Sequence, residues 1–402
     1  MKNRKLFTLL LLLAGLGSTA MADNVITTNE VVIRPGGTTE LIVNLENDAD
    51  FKVYAYDFRL YLPDGIEVAK KDNGNYIYEL AARNADHGSN VQMTTDGAVQ
   101  FGVNSPSLYL TGTEGPVLGI KLKAADDLEL GTVLQGRIEK ITYANYDATV
   151  HPANMTFNIK VQDLVVLDEN ATMLPDATDS SVDILVKRTI KGGEWSTICL
   201  PFAMSAEKLR AAFGNDYQLA YISGTDVTKE GGKVTAIDVQ FTNRTAAAVA
   251  NTPYIIKVSQ DITEFNVNAK INPVDAKKTD VTVEDDESGE EVSVCSMTGN
   301  LKAGTVVPDK SLFLTGNQFW YSSGKTKMKA FRAYFTFNDV LADVAASGAR
   351  IGLAFGSDET TGIGIGGDVD APTAIYDMLG RKVEKPSRKG LYIKNGEKVV
   401  IK

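Results

Sequence analysis

From Asn24 to about Val161 apolar and polar residues alternate with a period of two, and this pattern constrains the fold more than any other feature of the chain. In "TTELIVNLEN", Thr39, Leu41, Val43 and Leu45 share one parity. In "VYAYDFRLYLPDG", Tyr54, Tyr56, Phe58, Leu60 and Leu62 do the same before Pro63-Asp64-Gly65 turns the chain. Val99, Phe101 and Val103 repeat the pattern, as do Leu118, Ile120 and Leu122, and Phe157, Ile159 and Val161. Successive side chains of a strand point to opposite faces, so each run builds one apolar and one polar face. Pro35-Gly36-Gly37, Asp96-Gly97 and Gly112 supply turns between the runs. No stretch here carries a convincing helical stripe. Several short strands with regular turns predict a β-sandwich.

The order of these runs carries a resemblance. A first strand closed by "RPGGTTELIVNL", a long "YAYDFRLYLPDGIEV" and then "GPVLGIKLKAADDLELGT" resemble the cohesin-like, immunoglobulin-like sandwich of bacterial surface proteins. The resemblance covers roughly residues 25–161 and implies adhesion or protein docking without catalysis. Cohesins of cellulose-degrading complexes bind dockerins. This chain holds no duplicated dockerin-type calcium loop of its own.

Residues 162–181, "QDLVVLDENATMLPDATDSS", are acidic and turn-rich, and are expected to be a linker. A second domain is expected over 182–356, mostly β with one short helix. Ser205 can cap "AEKLRAAF", in which Leu209, Ala212 and Phe213 share a face, and Gly214 ends it. The stretches "GEWSTICLPFAMS", "NTPYIIKV" and "KAFRAYFTF" resemble a module of secreted Bacteroidetes proteins, and the resemblance implies no particular activity. Residues 357–372 form a Gly-rich linker. Its Gly362-Ile363-Gly364-Ile365-Gly366-Gly367 has the wrong spacing for a dinucleotide fingerprint and no strand–helix unit around it.

The first 22 residues have the layout of an export signal. Lys2, Arg4 and Lys5 precede an apolar run from Leu6 to Leu16, and Ala20-Met21-Ala22 offers small residues for cleavage. The run is shorter than the ~20 residues of a spanning helix, so a retained anchor is the weaker reading. The mature chain, from Asp23, is expected to hold no transmembrane span. Loss of three basic residues takes the net charge from −10 to −13. From Ala371 onward eight Lys or Arg stand against three Asp or Glu, leaving −18 on the body between. Such a body repels phosphates, which argues against nucleic acid as a partner, the basic tail being the one exception in charge. Cys199 and Cys295 lie in apolar alternating runs and are expected to be buried, with a bridge as the alternative.

No constellation of residues points to an enzyme, a cofactor or a metal site. His87 and His151 both sit beside turn residues and are expected in surface loops. No H-E-x-x-H and no G-x-S-x-G occurs. The acidic stretch from Asp285 to Glu291 is expected to be a solvated hairpin loop, with weak calcium binding as the sharper alternative. Aromatic residues supply the ligand-binding candidates. "NQFWYSSGK" sets Trp320 and Tyr321 beside Asn317, Gln318 and Ser322, where an outward ring could stack on a sugar. Tyr143 and Tyr146, near a turn in the first domain, form a second pair. The expected partner is therefore a glycan or a surface protein.

The segment 373–402, "TAIYDMLGRKVEKPSRKGLYIKNGEKVVIK", is expected to be a small β segment of three or four strands, with Asn395-Gly396 as a hairpin turn. Its Tyr-Asp-x-x-Gly-Arg turn, Gly-Leu-Tyr-Ile and closing Lys-Val-Val-Ile-Lys resemble the C-terminal sorting domain of Bacteroidetes type IX secretion. Gly380, Arg381, Gly390, Tyr392 and Lys402 fall at the matching positions. The resemblance implies contact with secretion machinery and delivery outside a Gram-negative cell, secreted or on its outer surface. A plain hairpin capping the second domain is the alternative.

Overall fold

The computed structural model describes residues 24–337 except 85, 231–232, 244–246 and 285–290, and then residues 350–355, 359–361, 375–377, 382–383, 390–394 and 397–401. Contacts divide the chain into two units, Met1–Gln162 and Asp163–Lys402.

The first unit is the expected β-sandwich. Its strands are β1 (Val25–Thr28), β2 (Val31–Ile33), β3 (Thr38–Glu46), β4 (Ala55–Tyr61), β5 (Ile66–Val68), β6 (Tyr78–Leu80), β7 (Gly88–Met93), β8 (Val99–Asn104), β9 (Pro116–Ala124), β10 (Val133–Ala144), β11 (Thr149–Val150) and β12 (Met155–Val161). One sheet runs β1-β3-β9-β5, with β6 also on β9. The other runs β2-β12-β10-β4-β8-β7, with β11 also on β10. The alternating residues meet between the sheets. Leu41, Val43 and Leu45 join Leu118, Ile120 and Leu122 from one side, and Tyr56, Phe58, Leu60, Phe101 and Ile159 from the other. Phe58 and Phe101 face each other across β4 and β8 and stack at 5.4 Å. Each buried side chain of this size contributes about 1.5–3 kcal/mol.

Strand β10 departs from strict alternation. Its register against β4 shifts between Glu139 and Thr142, where Lys140 has φ +52°. Such a bulge inserts a residue and moves every later side chain to the other face. Ile138 points inward before it, and Ile141 and Tyr143 point inward after it.

The second unit stacks three sheets. Val182–Ile190 lies between Leu164–Asp168, to which it is parallel, and Ile262–Ala269. The middle sheet orders Trp195–Ile198, Tyr254–Lys257, Gln218–Glu230, Lys233–Asn243, Arg350–Phe355 and Glu359–Thr361. The third orders Lys278–Glu284, Glu291–Asn300, Arg332–Phe337, Leu312–Thr315 and Gln318–Tyr321. The middle sheet is buried on both faces. Leu219, Tyr254 and Ile256 pack into one core, and Ala220, Ile222 and Ile255 into another with Leu312, Phe319 and Phe335. The helix Ala206–Phe213 forms as expected. Ser205 accepts the Lys208 N–H, Leu209 and Phe213 are buried, and Gly214 leaves the helix at φ +84°.

Two expected boundaries move. The stretch 162–181 is not a free linker, because its Leu164–Asp168 is a strand of the second unit. Val165 and Leu167 are buried there, and Ala171, Met173 and Glu169 are buried beyond the strand. Glu169 holds Lys329 at 2.9 Å and Arg332 at 2.6 Å. The expected Gly-rich linker likewise contains Glu359–Thr361, which pairs with Arg350–Phe355. Its other residues, 357–358 and 362–372, and the acidic residues 285–290 lie outside the described residues.

The C-terminal segment forms an antiparallel sheet ordered Lys382–Val383, Ile375–Asp377, Gly390–Lys394 and Glu397–Ile401. Lys394 pairs with Glu397, so two residues connect the last strands. Gly390 and Tyr392 lie on one strand, with Tyr392 opposite Asp377. Gly380, Arg381 and Lys402 lie outside the described residues. Among the described residues no helix is long and apolar enough to cross a membrane.

Candidate binding site

Three loops converge at one end of the first unit: 47–54 before β4, 105–115 after β8, and 145–148 after β10. Each supplies one tyrosine. The Tyr54 ring lies 4.5 Å from the Tyr146 ring and 5.7 Å from the Tyr109 ring, and the Lys52 ammonium sits 4.9 Å from the Tyr109 centroid. Tyr146 is 70 % exposed, Tyr109 43 % and the adjacent Leu108 38 %. Exposed aromatic rings grouped from separate loops are unusual on a surface that buries most of its other rings.

The loops are tied together by their backbones. Tyr54 N–H donates to Ala144 O at 2.9 Å, Ser105 N–H to Tyr54 O at 2.9 Å, and Leu110 N–H to Val53 O at 2.8 Å. The Tyr146 hydroxyl donates to Pro106 O. Asn145 accepts the N–H groups of Asp147 and Ala148, which fixes its turn.

Beneath them lies Arg83, 7 % exposed, on a short 3-10 turn. Its Nε donates to Thr111 O at 2.8 Å. Its Nη1 donates to Leu45 O and to Gly115 O at 3.2 Å. Its Nη2 donates to Asn47 Oδ1 at 2.8 Å and Gly112 O at 3.0 Å. All five donors of the guanidinium fork are used, four of them on loop or strand carbonyls. Burial lowers the Arg83 pKa. Next to it the Tyr56 hydroxyl donates to Asn84 Oδ1 at 2.9 Å, and the Asn84 amide donates to Ala81 O at 2.9 Å.

The sequence candidates fare unequally. Tyr146 belongs to this cluster. Tyr143 does not, because the bulge turns it inward, where it is 0 % exposed and burial raises its pKa well above the usual tyrosine range. It therefore cannot stack on a ligand. His87 is also no surface residue: it is buried, its Nδ1 meets Asn84 O, and burial pushes its pKa down. His151 is exposed. Tyr54 and Tyr109 were missed. Tyr54 continues the alternation of β4, yet the strand begins at Ala55, and the ring turns toward the loops.

In the second unit Trp320 and Tyr321 point to opposite faces. Tyr321, half-buried, packs against the core on its face, and burial pushes its pKa up to about 12. Asn317 and Ser322 serve the fold, accepting the Trp195 N–H at 2.6 Å and donating to Val307 O at 2.7 Å. Trp320 lies on the face away from that core, opposite Phe313, which is in turn opposite Tyr334. All three rings are half-buried, and the Trp320 indole N–H is shut off from solvent. Cys199 and Cys295 are buried and free, and burial pushes each up to about 12. Among the described residues no three His, Cys, Asp or Glu side chains gather as metal ligands would.

No protein-family model matches the chain, and no curated protein matches it. Solved structures similar to it include three cohesins. A cohesin module of a family 33 glycoside hydrolase from Clostridium perfringens is 14% identical, with 36% of this chain and 98% of that one covered and a TM-score of 0.29. A non-cellulosomal cohesin from Archaeoglobus fulgidus is 18% identical over 34% of this chain and 91% of that one, TM-score 0.28. The cohesin–dockerin complex Coh-OlpA-Doc918 from Clostridium thermocellum is 15% identical over 35% and 99%, TM-score 0.30.

Proposed function

We propose that this chain is a non-catalytic, secreted or surface-displayed binding protein whose N-terminal sandwich docks a protein partner through Tyr54, Tyr109 and Tyr146. The carrying observation is that three loops present three rings while Arg83 holds two of those loops from below. Tyrosine offers a large contact area with few rotors, and aromatic residues dominate interface hot spots. Loops already fixed by hydrogen bonds lose little further entropy on binding. The cohesin-like order of the strands supports docking as the role. The signal-like residues 1–22 and the sorting-like segment 373–402 support delivery outside the cell.

The experiment uses the full chain and its Tyr109→Ala/Tyr146→Ala variant, first shown to melt alike. Both are immobilised and exposed to surface-protein extract, and both are run on a glycan array. Protein capture by wild type that falls at least tenfold in the variant is expected. Array binding that falls instead would replace the protein partner with a glycan, and equal behaviour of the two chains would remove the site. Deleting 373–402 should strand the chain in the periplasm; normal surface delivery of the truncated form would refute the sorting role.

A second reading rests on the row Trp320, Phe313 and Tyr334 across three strands of the second unit. Such a row can present a flat aromatic strip to a sugar chain. Trp320→Ala should then weaken glycan binding without unfolding the protein, and unchanged array binding would sink this reading.

A further inference from the structure

The seven-stranded sheet of the first unit ends on β7, and among the described residues β7 pairs with β8 alone. The pairing runs without a bulge from Gly88 opposite Asn104 to Met93 opposite Val99. Half the backbone N–H and C=O groups of an antiparallel edge strand point away from its neighbour. Proteins guard such edges with Lys, Pro, bulges or short length, because an open edge templates another strand. The strand Gly88-Ser89-Asn90-Val91-Gln92-Met93 has none of these guards. It is six residues long and uncharged, five of its residues are exposed, and Met93 is 59 % exposed. The opposite edge, β2, is three residues long and fully buried.

We infer that β7 is an interaction edge that pairs antiparallel with β7 of a second copy of this chain. The occupant follows from the side chains. Residues directly opposite in an antiparallel pair share a face, so a two-fold axis must pass through a residue. With the axis at Val91, Asn90 faces Gln92 of the second copy, and Gln92 faces its Asn90. The two amide pairs bond on the outer face, where Asn90 and Gln92 also stand opposite Gly102 and Gln100 of β8. On the other face Val91 meets its own copy and Ser89 meets Met93. No like charges are opposed anywhere along the strand, despite the acidic body of the chain. An edge pairing of this length buries less than the roughly 1,200 Å² of a standard interface, so the dimer is weak and its population depends on concentration.

Cysteine trapping tests this directly in the full chain. Across an antiparallel pair the two Val91 Cα atoms come about 4.5–5.5 Å apart, within disulfide range. The native Cys199 and Cys295 are buried and do not compete. Val91→Cys, oxidised with copper-phenanthroline under air, should form a reducible covalent dimer at least tenfold faster than Val306→Cys, whose position is 47 % exposed in the second unit. Sedimentation of wild type should show dimer rising with concentration, and Val91→Lys, which sets two ammonium groups on the axis, should abolish it. Circular dichroism on each variant checks the fold. Crosslinking of Val91→Cys no faster than Val306→Cys, or a wild type that stays monomeric at millimolar concentration, would overturn the inference.

Discussion

Arg83 and Arg188 are both buried guanidinium groups, one in each unit, and their surroundings differ sharply. Arg83 spends all five donors on carbonyls, and the two loops it binds carry Tyr54 and Tyr109. Arg188 is 0 % exposed, donates from Nη2 to Thr197 O, and has no partner for Nε or Nη1. Burial, then the neighbouring Arg332, holds its pKa well below the usual arginine range, while Glu169 works in the other direction. A buried charge stabilises only when its hydrogen-bonding capacity is filled; otherwise desolvation wins. The first arginine is thus a fastening for a surface, and the second is a site where polarity is tolerated.

The largest effect is expected from removing the fastening. Arg83→Ala should lower stability by about 3–5 kcal/mol in denaturant unfolding, since it leaves several carbonyls without a donor. It should also speed amide exchange over 110–115. Unchanged exchange there would separate the arginine from the loops. Next comes Glu169→Gln, which strips Lys329 and Arg332 of their carboxylate and leaves Arg188 facing Arg332 unopposed. A loss of about 2–4 kcal/mol is expected, with early opening of the strand Leu164–Asp168. A loss near zero would return that stretch to the status of a linker.

A smaller effect concerns His87, which sits beside the Arg83 turn. Burial depresses its pKa below 6.5, so the unfolded chain takes up the proton first as pH falls. The stability in question is present above 6.5 and is lost as pH falls from there toward the folded value. His87→Gln should flatten this part of the acid limb in pH-dependent melting, and an unchanged slope would remove His87 as the cause. The smallest effect is Arg188→Met, expected within about 1 kcal/mol of wild type or more stable, because an apolar side chain of similar length needs no partners. A loss as large as that of Arg83→Ala would dissolve the contrast between the two arginines.

Much of the fold was legible in the sequence for one reason: alternation directly reports which face of a strand is buried. Leu41, Val43, Phe58, Phe101 and Ile159 all point where their parity says. The bulge at Lys140 was not legible, since an inserted residue changes parity without a marker such as Gly, and nearness to a turn alone could not tell that Tyr143 faces inward. The stretch 162–181 was misread because its acids suggested a solvated linker. The alternation of Val165 and Leu167 was present, but Glu169 gains its partners from residues 160 or more positions away. The candidate site was legible only through Tyr146. Its other parts, Tyr54, Tyr109 and Arg83, come from separate segments that only the folded loops bring together.

A photocrosslinking amino acid at position 146 of the full chain, expressed in its own cells, tests the docking surface most directly. Position 133 serves as the control, since Val133 is 58 % exposed at the far end of β10. Docking through the three tyrosines should give a discrete crosslinked protein from position 146, absent from position 133 and lost when Tyr109→Ala is added. Equal crosslinking from both positions, or none from position 146 while position 133 captures a partner, would contradict it.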